Sequence, residues 1–242
     1  SRSDMKWVLD LLTTVAKDGW MDAVAIVDTF GGLMPHAVPY LIKAVKERIP
    51  DKPIEVHFHD DFGLGAANTL MALAAGADVA HTTVSAIGER AGNTAYEEVA
   101  LALLTMYNID LGLKTEKFVE TSKLIQQLGK VSVRPNKGIL GDMLFKIESG
   151  IVTSWWLNVK DEHPLEVVPY HWELVGQQKP EPVLGKNNGI DSINYYLDKL
   201  GIKGATEEQK MQLLQAVKAK SFEKKGLLTE EEFKELAKQI IG

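Results

Sequence analysis

The chain has 242 residues, 45% of them hydrophobic and 25% charged, which excludes a disordered or collagen-like polymer and leaves enough apolar material for a sizeable core. Its net charge of −6, with both signs interspersed, gives no electrostatic footprint for nucleic acid. No apolar run approaches the about 18 residues of a membrane span, and the absence of cysteine rules out a disulfide framework, thiolate metal ligation and a cysteine nucleophile.

Residues 1–17 read as a helix, with Asp4 as its cap and Trp7, Val8, Leu11, Leu12 and Val15 on one face. From there to about residue 110 one rhythm repeats: strand, polar loop, helix. Residues 23–27 (AVAIV) form the first strand, Asp28 to Gly32 the turn, and a helix begins near Pro35, with Val38, Leu41, Ile42 and Val45 at helical spacing. Residues 54–59 (IEVHFH) alternate as a second strand, followed by a loop over 60–65 and a small-residue helix over 66–75 that Gly76 stops. Residues 78–87 (DVAHTTVSAI) are the third strand, 88–94 its loop and 95–107 the third helix. Strands alternating with helices imply a parallel sheet joined by crossovers. Three such units cannot close an eight-stranded barrel, so the expectation is the C-terminal portion of a longer α/β enzyme.

Beyond residue 110 the rhythm stops. Residues 116–128 read as a helix, while 129–187 are rich in Pro, Gly and aromatics without clear period. Helical patterning returns over 190–200, 206–222 and 229–241, where Thr206 with Gln209 and Thr229 with Glu232 have capping-box spacing. The domain reading is therefore 1–110, 111–187 and 188–242.

His57-Phe58-His59 is the strongest chemical feature. In a strand, residues two apart share a side, so Ile54, Val56 and Phe58 face the helices while Glu55, His57 and His59 face the opposite way. Two imidazoles at the C-terminal end of a parallel strand suit a divalent ion, and that end is where α/β barrels build their sites; a hydrogen-bonded pair without metal is the plainer alternative. Asp60 and Asp61 read as orienting groups or loop caps rather than ligands. In the third loop, Asn93 can offer an amide oxygen to a hard cation; Arg90 either pairs with Glu89 or contacts substrate. Asp28-Thr29 reads as a turn and cap.

Residues 57–65 (HFHDDFGLG), with Ala67-Asn68-Thr69 and Ala75-Gly76-Ala77, resemble the metal motif of the DRE-TIM metallolyases. Residues 88–94 (GERAGNT), followed by Glu97-Glu98-Val99, resemble the isopropylmalate/homocitrate/citramalate synthase branch. Asp28-Thr29-Phe30-Gly31 with Pro35 fits the preceding strand end, and residues 183–193 (VLGKNNGIDSI) the start of that branch's second C-terminal subdomain. The resemblance implies the last three strand–helix units of a (β/α)8 TIM barrel followed by mostly helical subdomains. It implies a cytoplasmic homodimer that requires the N-terminal half of the barrel and takes no nucleic-acid or membrane partner. It also implies a Claisen condensation of acetyl-CoA with a 2-oxo acid, dependent on Mg²⁺, Mn²⁺ or Zn²⁺. His57 and His59 would be metal ligands, Asn93 a further ligand or near neighbour, and Thr29 and Arg90 substrate contacts. The Arg-Asp pair of the family's first strand has no counterpart in this chain.

One position departs from the family. Val152 stands where the synthases carry a proton-transferring His, which leaves Glu148, His163 and His171 as substitutes. Trp155 and Trp156 just downstream read as core or dimer-contact residues. Two alternatives stay open: a carbon–carbon lyase or aldolase of the same superfamily that needs no cysteine, and a non-catalytic paralogue or fragment.

Overall fold

A computed structural model describes residues 3–242. The chain forms two compact units, one running to Val133 and including Gly138–Leu140, the other made of Arg134–Lys137 and Gly141–Gly242. The border therefore falls near residue 134, later than the change of rhythm at 110.

In the first unit, helix α1 (Met5–Asp18) starts at Asp4, whose carboxylate accepts from the Trp7 amide at 2.8 Å. Its core contacts are Leu9, Leu12 and Ala16, whereas Trp7 is 62% exposed and Leu11 and Val15 are also exposed. The apolar face expected from periodicity is thus split, because the helix turns only one edge of it inward.

Strands β1 (Val24–Asp28), β2 (Ile54–Phe58) and β3 (Val79–His81) form a parallel sheet in that order, with Asp28 opposite Phe58 and His57 opposite His81. Helices α2 (Val38–Arg48) and α3 (Gly65–Ala74) cross between them, and Val38, Ile42 and Val45 pack with Ile54, Val56 and Phe58 in one core cluster. A 3₁₀ turn over Pro35–Ala37 precedes α2, where Pro supplies a backbone already set for helix entry.

The third strand is shorter than the expected 78–87. Beyond His81 the chain enters a 3₁₀ turn, Val84–Ala86, in which Ser85 and Ala86 both take positive φ. Such backbone cannot continue a ladder. Helices α4 (Tyr96–Thr105) and α5 (Phe118–Gly129) complete this unit.

The second unit holds a helix that periodicity misses. Between β4 (Lys146–Ile147) and its parallel partner β5 (Glu181–Pro182) lies α6 (Gly150–Val159). Trp156 of α6 meets Trp172 edge-on, 5.9 Å between ring centroids, in a cluster with Phe145, Ile147 and Val168. A separate core joins α7 (Ile190–Lys199), α8 (Glu207–Lys224) and α9 (Glu230–Ile240) through Ile193, Leu197, Leu213, Val217 and Phe233. Both expected capping boxes are formed, with Thr206 and Gln209 opening α8 and Thr229 and Glu232 opening α9. Among the described residues no helix is long and apolar enough to cross a membrane.

Candidate metal centre

The alternation of β2 sorts its side chains. Ile54 and Val56 are wholly buried and Phe58 is 1% exposed, while Glu55 and His57 project from the opposite, more open face. His59 lies one residue past the strand and forms an antiparallel bridge with Asn93 of the third loop. Its ring centroid is 5.2 Å from that of His57 at an interplanar angle of 70°.

His59 is buried, and its Nδ1 lies 3.2 Å from the Gly92 carbonyl oxygen. A carbonyl only accepts, so Nδ1 is the donor here, and in the neutral ring Nε2 is the nitrogen with the free lone pair. Burial lowers the His57 pKa below the usual imidazole value, and the neighbouring His59 and His81 push it the same way. That favours the neutral ring a metal needs. The Asn93 amide is pinned at one end, where Nδ2 donates to the Ile87 carbonyl at 3.1 Å; its Oδ1 is shielded from solvent without a hydrogen-bond partner. Among the described residues no three His, Asp or Glu side chains form a metal cage.

Loop geometry sets these groups. Gly92 has φ +95°, and a Cβ there would lie 1.8 Å from the Ala86 carbonyl oxygen, so only glycine lets the third loop fold under His59. Gly31, at φ +58°, likewise brings the first loop against the His59 carbonyl, 2.6 Å from where a Cβ would stand.

Arg90 ties the three loops together. Its Nε and Nη2 donate to the two Asp61 carboxylate oxygens at 2.8 and 3.1 Å, and Nη2 also donates to the Thr29 carbonyl. The guanidinium carbon lies 5.7 Å from the centre of the Phe30 ring. Arg90 thus engages Asp61 bidentately and also makes the ion pair with Glu89 considered from sequence, Nη1 to Oε2 at 3.6 Å. The guanidinium holds the Asp61 carboxyl below the usual carboxylate range. Asp60 accepts from the Gly65 amide at 2.7 Å and so caps α3, and Asp28 accepts from the Leu33 amide at 2.7 Å within its turn. The Thr29 side chain stands exposed at the end of β1.

The three proton-transfer candidates lie in the second unit, and no hydrogen bond or ion pair among the described residues links them. Glu148 accepts from the Asn187 amide at 3.0 Å. His163 is exposed at the start of a short 3₁₀ turn, and His171 stacks on Trp172 with ring centroids 3.9 Å apart. Val152 packs into the cluster around Phe145 and Trp156.

Sequence reading passed over His81. Its Nε2 is 2.8 Å from Glu55 Oε2, and its ring meets that of His57 at 5.6 Å and 72°. The signal lay in the strand pattern, since Glu55 and His57 share a face of β2 and His81 is the register partner of His57.

Comparison with known proteins gives the HMGL-like family model over residues 1–125. Among curated relatives, all of this chain aligns at 36% identity with 46% of a 2-isopropylmalate synthase from Methanocaldococcus jannaschii. From the same organism, an (R)-citramalate synthase is 38% identical over 90% of this chain and 43% of its own length. A homocitrate synthase is 34% identical over 93% of this chain and 54% of its own. The chain thus spans about half the length of these relatives.

Proposed function

Because the chain belongs to the HMGL-like family, on the branch of the isopropylmalate, citramalate and homocitrate synthases, we propose that it carries part of a divalent-metal site for condensing acetyl-CoA with a 2-oxo acid. One observation carries this reading: the free Nε2 of His59 and the partnerless Asn93 Oδ1 belong to bridged residues, with the His57 ring alongside. Two imidazoles and an amide oxygen suit Mg²⁺, Mn²⁺ or Zn²⁺ and do not choose among them. All three donors are neutral, so the balancing carboxylate is proposed to come from the N-terminal half of the barrel. In this reading residues 1–110 supply the last three strand–helix units of a (β/α)8 barrel, and the assembled enzyme is a cytoplasmic homodimer.

A divalent cation held there supplies Lewis-acid polarisation of a carbonyl. His57 and His59 would hold it, with the Gly92 carbonyl fixing the His59 tautomer, and Asn93 would lend its oxygen. Thr29 binds the 2-oxo acid carboxylate at the mouth of β1. Arg90, read from sequence as pairing with Glu89 or touching substrate, also braces Thr29 and Asp61. A base takes a proton from the acetyl-CoA methyl group, the resulting carbanion equivalent attacks the keto carbon, the keto oxygen takes up a proton to become a hydroxyl, and water cleaves the thioester to a carboxylate and the CoA thiol. Val152 has no proton to exchange; Glu148, His163 and His171 remain the candidates for that transfer.

The test is thiol release from acetyl-CoA, run with a panel of 2-oxo acids, on the chain alone and with a polypeptide supplying the N-terminal half of the barrel. Identities of 36%, 38% and 34% to three synthases of one organism weigh equally for their three acceptors, so the panel includes all of them. Metal-dependent release, lost in His59→Ala, is the expected result. Cleavage of a hydroxy-acyl compound without release from any acceptor would favour the lyase reading.

A further inference from the structure

Of the two imidazoles, only His59 has the hydrogen bond that normally fixes a metal-ligating ring. Metal-bound histidines as a rule donate their second nitrogen to a carbonyl, carboxylate or water, which sets tautomer and ring angle. His59 does so through Gly92. Among the described residues neither ring nitrogen of His57 has a hydrogen-bond partner, and the terminal torsion of a histidine is broad when nothing holds it. The His57 ring is instead flanked by two ring edges, His59 at 5.2 Å and His81 at 5.6 Å. His81 could swing away on its own χ angles, but its Nε2 is anchored on Glu55, which lies two residues before His57 on the same face of β2.

We infer that Glu55 and His81 are a positioning pair: the carboxylate fixes the His81 ring, and that ring holds His57 at the angle from which it ligates. The inference rests on the reading of His57 as a ligand. It assigns work to two residues that would otherwise be a half-exposed ion pair of little energetic consequence. Parallel pairing makes the arrangement available, since register sets His57 beside His81 while the two-residue period sets Glu55 beneath them.

Cobalt(II) titration of the full chain, followed by its visible ligand-field bands, tests this. His81→Ala is expected to weaken Co²⁺ binding about tenfold, at the low end for loss of an orienting partner, and to shift the bands. Glu55→Ala should do the same, and the double variant should be no worse than either single to within about twofold, because the two act in series. Glu55→Gln keeps an acceptor for His81 while losing the charge, so it should restore both affinity and spectrum. Parent-like binding by His81→Ala, multiplied losses in the double variant, or a Glu55→Gln as weak as Glu55→Ala would each overturn the positioning role. His57→Ala separates the two readings. If it binds Co²⁺ as the parent does, the ligand assignment fails and the inference with it; if it loses the ion while His81→Ala keeps it, only the inference fails.

Discussion

The Asn93 amide has ends with opposite fates, one donating to Ile87 and the other shielded and partnerless. An acceptor left so costs roughly 1–3 kcal/mol, a cost that a cation would cancel. His59→Ala and Asn93→Ala are therefore each expected to lower Mn²⁺ or Zn²⁺ affinity by more than about tenfold by calorimetry, with the thermal midpoint of the metal-free chain little changed. At this scale the sequence was a good guide to residue type and a poorer one to partner. The His-x-His spacing located the imidazoles because strand period is a local property. That Arg90 reaches across to Asp61 and Thr29 depends on three loops meeting, which no local pattern encodes.

Elements were most legible where their ends carry their own chemistry. The Thr229–Glu232 box opens α9 as its spacing requires, and Thr229→Ala should cost about 1 kcal/mol by urea denaturation. Helix α6 escaped notice because its sequence, GIVTSWWLNV, has no side-chain cap and no charged face; packing of Trp156 on Trp172 specifies it instead. β3 stops at His81, and two consecutive positive-φ residues beyond it, Ser85 and Ala86, keep the strand from resuming, a conformation their side chains do not announce. In the second unit Glu181 joins β5 to β4 and α7 through Lys146 and Lys199, and Lys199 also reaches Glu230 of α9. Burial alone would raise the Glu181 pKa, but the hydrogen bonds from Lys199 and Lys146 outweigh it and hold the carboxyl below its ordinary 4.5. A carboxyl depressed on folding adds stability above its unfolded pKa and loses it as pH falls through the folded value. Acid titration of the denaturation midpoint should therefore fall more steeply below pH 4.5 in the parent than in Glu181→Gln.

At the scale of the molecule, each compact unit has apolar clusters of its own. Residues 134–242 expressed alone are expected to melt cooperatively with a near-ultraviolet signal from Trp156 and Trp172, whereas a featureless melt would tie their folding to the first unit. The parallel pairing of β1, β2 and β3 followed from alternating pattern alone, while the border near residue 134 did not, since α5 looks no different in sequence from the helices that follow it. The Arg90 brace has a consequence for how an ion would be received. With three loops already fastened to one guanidinium, little chain freedom is left to be surrendered on capture, so the entropy of binding would be governed by water released from the ion rather than by ordering of the polypeptide.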